Sequence, residues 1–336
     1  IQYHHIFAKS LLKELYDNGA LAVVQGVGYP NPNQSHFTSM DIWQLGDPTA
    51  RSNSTQRESA YGWLGRYCDI AFKGNPDPKL ALAIGNARAP RAIRGREHAG
   101  LSFQSPASFG FYGDRGDRTR AAAYRTIAQL SPANPAGENS NLDFVTQTAG
   151  EANSSSEEIR RVASNYKTPI DYPRNNSLSS SLNAVAALIA GGLSTRVFYV
   201  FQDGFDTHAG QRSRHDRLMT DLDAAVVAFQ KDLERQGNAK RVITMTFSEF
   251  GRRVHENGSQ GTDHGMAGPM FLIGPGVKPG VHGDHPSLAK DDLVLGRDLK
   301  FGIDFRSVYA AVLEKWLGTP STPVLGEEFC PLDCVA

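Results

Sequence analysis

Two apolar runs, Arg196-Val-Phe-Tyr-Val-Phe201 and Arg241-Val-Ile-Thr-Met-Thr-Phe247, bracket a segment whose apolar residues recur at helical spacing. Leu218, Leu222, Val226, Phe229 and Leu233 mark that helix, and Gly237 stops it. Strands this apolar are buried on both faces, and the order strand, helix, strand over 196–247 reads as one βαβ unit. The rest of the chain repeats the alternation. A helix is expected over 6–17, followed by an apolar strand from Leu21 to Val27 and a short run from Leu80 to Ile84. Further on come a helix through Leu182, Val185 and Ile189 closed by Gly191-Gly192, and a strand from Met270 to Ile273. Asp304 stands as N-cap of a last helix from Phe305 to Leu317. The expectation is an α/β fold, a doubly wound and largely parallel sheet flanked by helices, formed by 1–336 as a single domain. Ser, Asn, Pro and Gly crowd 131–180, which reads as a surface excursion or cap with a helix around 155–165.

Composition narrows the function. Lys plus Arg and Asp plus Glu both number 35, so the 336-residue chain has no basic excess with which to neutralise a phosphate backbone, and nucleic acid is not an expected partner. No run of about 18 apolar residues exists, so no membrane span is expected. Three cysteines exclude a disulfide scaffold and a Cys-rich zinc module. Cys330 and Cys334 are close enough in sequence to bridge in an oxidising compartment, or to remain two thiols in a tail.

In open α/β sheets ligands bind beyond the carboxyl ends of the strands, so the residues following each strand carry the functional information. After the first strand, Ser35 opens a helix. It is either a cap or a nucleophile that profits from the free N–H groups there. After the 196–201 run come Asp203, Asp206 and His208, residue types that ligate Zn²⁺, Mn²⁺ and similar ions and that also occur in ordinary turns. After 241–247 come Glu249, Arg252 and Arg253, then Asp263 and His264 before the next strand. Three acid or imidazole clusters at successive strand ends point to a metal or anion site. Arg88, Arg91, Arg94 and Arg96 follow the 80–84 run, where they either clamp an anionic substrate or form a solvated loop.

The ordered set Ser35-His-Phe37, Gly204-Phe-Asp-Thr-His208, Thr246-Phe-Ser-Glu-Phe-Gly-Arg252, Gly261-Thr-Asp-His-Gly265 and Asp304-Phe-Arg-Ser-Val-Tyr309 covers nearly the whole chain. It closely resembles a bacterial family called domain of unknown function 1501, grouped with the alkaline-phosphatase/sulfatase-like superfamily. The resemblance implies a metal-dependent hydrolase of phosphate or sulfate esters. Ser35 takes the nucleophile position, and Asp206, His208, Glu249 and His264 the metal-ligand positions; Arg88, Arg91 and Arg252 are assigned to substrate. The implied cofactor is a divalent metal (Zn, Mn, Ca or Mg), and the implied partner is a small-molecule or glycan ester. The alternative is a non-catalytic exported protein that binds a glycan or anion on the same fold.

Two departures accompany the resemblance. Phe250 stands where the superfamily has a second-site His. No Gly-Gly-x-Asp-Gly run lies near Ile1, so the expectation is a chain without the family's first strand and its metal-binding Asp. That region is also where family members carry a twin-arginine signal, and export to the periplasm or cell surface is the corresponding expectation.

Overall fold

The computed structural model describes residues 11–47, 60–74, 77–85, 89–110, 119–120, 122–123, 126 and 140–336. In chain order the principal elements are α1 (Leu11–Asp17), β1 (Leu21–Gly28), α2 (His36–Leu45), α3 (Trp63–Ala71), β2 (Ala81–Ile84) and β3 (Leu101–Phe103). Then follow α4 (Ser140–Asn165), α5 (Ser177–Ala190), β4 (Val197–Tyr199), α6 (Gln211–Arg235), β5 (Thr244–Met245) and β6 (Gly268–Ile273). The chain continues through β7 (Gly280–His282), β8 (Ile303–Asp304), α7 (Phe305–Ala311) and α8 (Ser321–Leu325). Among the described residues no helix is long and apolar enough to cross a membrane.

The strands fall into two hydrogen-bonded sets rather than one. The first has the order β5-β6-β1-β7, with β8 also paired to β1, and the second has β3-β2-β4. The second set is parallel throughout. The first is mixed, because β6 runs antiparallel to both β1 and β5 while β7 and β8 run parallel to β1. A largely parallel sheet therefore describes only part of the molecule. The 196–247 unit also departs from expectation, since β4 and β5 belong to different sets.

Side-chain alternation nevertheless puts all the main strands in one layer. Ala22 and Val24 of β1, Ala81 and Ala83 of β2, and Met270 and Leu272 of β6 face one core, shared with Trp43, Trp63, Phe305 and Tyr309. Their neighbours Leu21, Leu82, Ile84, Phe271 and Ile273 face the other, shared with Leu182, Val185, Val226 and Phe229. Because successive strand residues point to opposite faces, this two-fold division makes a layer of strands with helices on both sides. α2, α3 and α7 cover the first face; α1, α5 and α6 cover the second.

Local chemistry sets the helix ends. The Asp304 side chain accepts from the Arg306 N–H at 3.0 Å, and that of Asn176 from the Ser179 N–H at 3.0 Å, each satisfying a donor that the first helical turn leaves free. The N–H groups of Leu11 and Leu12 reach across to Asp223 of α6, at 2.9 and 2.5 Å. In the Ser- and Asn-rich stretch, α4 occupies Ser140–Asn165, and its fully buried Ile159 joins the second core, so that part is packed helix rather than loop. Residues 131–139 lie outside the described residues. Cys68, Cys330 and Cys334 are all free thiols, with Cys334 buried and Cys330 exposed.

Candidate metal centre

Four histidine and aspartate side chains from three loops meet at one end of the strand layer. β1 leads to His36, the first residue of α2, and β4 leads to Asp206 and His208. His264 precedes β6 rather than following it. Because β6 is antiparallel to β1 and β5, its amino end lies beside their carboxyl ends, and His264 arrives at the same place.

Asp206 is the hub. Its Oδ2 lies 3.1 Å from His36 Nε2, and its Oδ1 lies 3.0 Å from His264 Nε2 and 2.9 Å from His208 Nε2. Donor atoms of His36, Asp206 and His264 all fall within 4.8 Å of one another, and the Nε2 atoms of His208 and His264 are 2.9 Å apart. The opposite nitrogen of every imidazole is engaged. His36 Nδ1 meets Glu249 Oε1 at 2.7 Å, His208 Nδ1 meets Asp263 Oδ1 at 3.2 Å, and His264 Nδ1 meets the Gln34 carbonyl at 2.8 Å. Those contacts fix the three rings with each Nε2 turned toward one carboxylate. Three imidazole nitrogens and a carboxylate turned toward one point are the donor types that a divalent cation takes. A histidine anchored through its far nitrogen is the usual arrangement around a metal. The donor set fits such an ion, and its imidazole content suits Zn²⁺ or Mn²⁺ better than Ca²⁺ or Mg²⁺, which favour all-oxygen shells.

Electrostatics agree with the geometry. Burial opposes charge on His36, but its hydrogen bond with Glu249 and the nearby Asp206 carboxylate outweigh that and raise its pKa above the ordinary value. Burial likewise works against the Asp206 carboxylate. Hydrogen bonds from Arg252 and His264 more than compensate, holding it well below the usual carboxylate range. The side chain of Asp206 is 46% exposed, so the cluster is open to solutes.

The loops are locked to one another by backbone pairing. Gly210 N donates to Ser259 O at 3.0 Å, Gln211 N to Gln260 O at 2.8 Å, and Thr262 N to Thr207 O at 3.2 Å. Arg253 N donates to Asp263 O at 3.0 Å and Gly265 N to Gly251 O at 2.7 Å. Two glycines allow this closeness: a Cβ on Gly261 would lie 2.1 Å from the His208 carbonyl carbon, and one on Gly251 1.8 Å from Ala267 O. On the α2 side, Ser39 Oγ donates to the Glu249 carbonyl and contacts Tyr29 Oη at 2.8 Å, which ties the end of β5 to the helix bearing His36.

Of the residues singled out in the sequence, Asp206, His208 and His264 come together here. Glu249 joins as the partner of His36 Nδ1 rather than through Asp206. Ser35 is adjacent, exposed, in extended conformation at the N-cap of α2, and its side chain makes no capping hydrogen bond. Arg252 donates to Asp206 Oδ1 at 2.6 Å, Phe205 O at 3.0 Å and Thr262 O at 2.8 Å, so it fixes the aspartate in place. Arg91 pairs with Asp41 at 3.3 Å, away from the cluster contacts. Arg88 lies outside the described residues. Phe250 stacks on His264 with ring centroids 4.2 Å apart and packs against His36 at 4.9 Å, giving the imidazoles an apolar wall and no ligand. His36 itself was not singled out by sequence reasoning. The available signal was its place directly after Ser35, at a helix start following a strand.

Fold and site together define a layered α/β protein with a histidine–aspartate cluster at its strand ends, of a geometry that could hold a metal ion. The chain belongs to the family described as Protein of unknown function (DUF1501), whose model matches residues 7–326. Searches of curated proteins and of solved structures returned no match.

Proposed function

We propose that this protein is a metal-dependent hydrolase of phosphate or sulfate esters, with Ser35 as nucleophile. The observation that carries the reading is the convergence of three Nε2 atoms on Asp206 while each Nδ1 is held by an acceptor. His36, Asp206 and His264, with His208, hold the ion in this reading, and the bound cation supplies Lewis-acid stabilisation of charge on the non-bridging oxygens. Ser35 sits one residue before His36, at the start of a helix whose first N–H groups favour an anion. Its Oγ attacks phosphorus or sulfur and loses its proton, the ester oxygen leaves as the alcohol, and water then cleaves the seryl ester to free the enzyme. Phe250 keeps one side of the imidazoles dry, and Arg252 keeps Asp206 ionised and aimed. The substrate class is a small-molecule or glycan ester, and an exported location follows from the family resemblance.

The test is turnover of p-nitrophenyl phosphate and p-nitrophenyl sulfate by protein loaded with Zn²⁺ or Mn²⁺. Ser35→Ala and His264→Ala are each expected to abolish it while the fold persists. Metal-loaded, folded protein that turns over neither ester overturns the reading, and retention of an anionic glycan by that same protein would favour binding without catalysis.

A further inference from the structure

The three imidazoles of the cluster are held through Nδ1 by partners of unequal firmness. His264 is held by a backbone carbonyl, that of Gln34, and His36 by Glu249, whose side chain is 19% exposed. His208 is held by Asp263, and there both side chains are open to solvent, at 44% and 39%. An exposed carboxylate exchanges a partner for water at little cost, so Asp263 needs backing of its own to fix a ring. Two donors supply it: Asn257 Nδ2 reaches Oδ1 at 3.1 Å, and Arg253 Nη1 reaches Oδ2 at 3.0 Å.

Behind Arg253 lies Asp298. It closes a tight turn through the backbone alone, Asp298 N donating to Val294 O at 3.0 Å and Val294 N to Asp298 O at 2.9 Å. The turn is tied to the Arg253 loop by Val254 N, which donates to Arg297 O at 3.2 Å. The Asp298 side chain is fully buried, and among the described residues neither of its carboxylate oxygens has a hydrogen-bond partner. Its close polar neighbours are two guanidinium groups, with Arg253 Nε 3.7 Å from Oδ1 and Arg297 Nε 3.6 Å from Oδ2. Both distances exceed a hydrogen bond, so the attraction is between charges. Burial raises the pKa of Asp298, and the two arginines pull against it. A buried carboxylate without hydrogen bonds costs the fold stability, and the turn that carries it makes no use of the side chain. What the side chain faces is Arg253, whose Nε is likewise buried and without a hydrogen-bond partner.

Arg253 thus spans two carboxylates, with Nε toward the buried Asp298 and Nη1 on the exposed Asp263. A guanidinium is a rigid planar fork, so fixing one side of it fixes the direction of the other. We propose that Asp298 is a positioning residue of the cluster: it fixes Arg253 so that Asp263 keeps the His208 ring turned toward Asp206. Without the charge on Asp298, the buried side of Arg253 has no counter-charge. The side chain is then drawn toward solvent, and Nη1 leaves Asp263. The effect reaches one ring of the three, because His36 and His264 are held by Glu249 and by the Gln34 carbonyl instead. Arg297 touches the same buried carboxylate from an exposed position, and its ion pair with Asp298 gives it no link to the cluster. The inference deepens the metal reading of the site and rests on it for an affinity measurement, whereas the ring positions are read without metal.

The test is nitrogen-15 NMR of the imidazole rings in the metal-free full chain, at one neutral pH, for wild type and three variants. Asp298→Asn keeps the shape of the side chain and removes its charge. Arg253→Lys keeps a charge for Asp298 but has no fork with which to hold Asp263 as well. Both are expected to shift the ring nitrogens of His208 and to leave those of His36 and His264 in place, while Arg297→Gln shifts none of them. The double variant should shift His208 no further than either single one, since both act along one path. Should Asp298→Asn not fold, Arg253→Lys decides by itself. An unmoved His208 ring in a folded variant overturns the inference, and so do equal shifts at all three rings, which would mean general loosening. With Zn²⁺ as the probe, Asp298→Asn should weaken binding about tenfold, as altered supports of metal ligands do. That loss should vanish in a His208→Gln background and persist in His36→Gln; a loss unchanged by His208→Gln overturns the inference. A wild type that binds no Zn²⁺ fails the metal reading alone, and the ring shifts then decide this one.

Discussion

The Nε2 atoms of His208 and His264 face one another at 2.9 Å, and both face Oδ1 of Asp206. Each ring is anchored through Nδ1, so neither can turn away without breaking that bond. A bound cation would take up these nitrogens and the carboxylate together, and its binding energy would become folding energy. Zn²⁺ at a hundred times its dissociation constant should stabilise the protein by about 2.7 kcal/mol. Asp206→Asn should weaken binding by about a hundredfold or more, since it removes the anionic hub on which the site depends. Calorimetric titration and melting curves with and without metal check this, and an unchanged affinity in the variant would sink the assignment.

Protons compete with metal for the same lone pairs. His36 has a raised pKa in the metal-free fold, chiefly because contact with Glu249 and Asp206 overcomes the opposing effect of burial. A raised folded-state value means that protonated His36 stabilises the metal-free protein below the unfolded histidine pKa, and that this contribution is lost as pH rises through the folded value. Metal affinity should run the other way, increasing with pH and levelling off above that folded value. Titrations from pH 5.5 to 8.5 on wild type and His36→Gln check the sign: the wild-type slope should be steeper.

Gly261 holds no metal, yet a Cβ there would collide with the backbone of His208. Gly261→Ala should displace the His208 loop and weaken metal binding by about tenfold to a hundredfold, the range seen when groups supporting a metal ligand are altered. The far-ultraviolet dichroism should stay unchanged, and affinity should be measured on the same sample.

Asp232 of α6 is fully buried and collects donors from the 166–172 segment. Tyr166 Oη donates at 2.6 Å, Thr168 Oγ1 at 2.9 Å and Tyr172 Oη at 3.2 Å, and Arg235 Nε adds a charge-assisted bond at 3.0 Å. Asp232→Ala strands these groups, so a loss of about 3–5 kcal/mol is expected by urea unfolding. Asp232→Asn keeps part of the acceptor set and should lose less.

The three thiols should label in two classes. Cys330 is exposed, whereas burial pushes Cys68 up to about 12 and Cys334 to about 11. Thiolate is the reactive form, so one equivalent of a thiol reagent should react quickly under native conditions at pH 8 and two more only on unfolding. Fast labelling of Cys68 would mean that the first core opens.

Much of the architecture is written in local pattern. The 3.6-residue spacing of Leu218, Leu222, Val226, Phe229 and Leu233 places α6, and Asp304 marks the start of α7 through a side chain that reaches its own helix. Asp206, His208 and His264 were legible for a related reason, because each flanks an apolar run whose end must open to solvent. His36 was not. A histidine one place beyond an N-cap carries no signal of its own, and its partners Asp206 and Glu249 lie far away in sequence.

The sequence by itself determined where the main apolar strands and amphipathic helices form and which of the acids and imidazoles Asp206, His208 and His264 stand at strand ends, since these depend on residues a few positions apart; α3, β3, β7, β8 and α8 carried too short or weak a pattern to be read. Tertiary structure alone decided that β6 runs against β1, which carries His264 from before a strand to the carboxyl ends of the others. It also decided that β4 and β5 share a layer without sharing a ladder, and that Arg252 reaches the Asp206 carboxylate. Strand direction and pairing come from backbone hydrogen bonds between distant segments. Those bonds are alike for every residue type, so the order of the side chains does not reveal them.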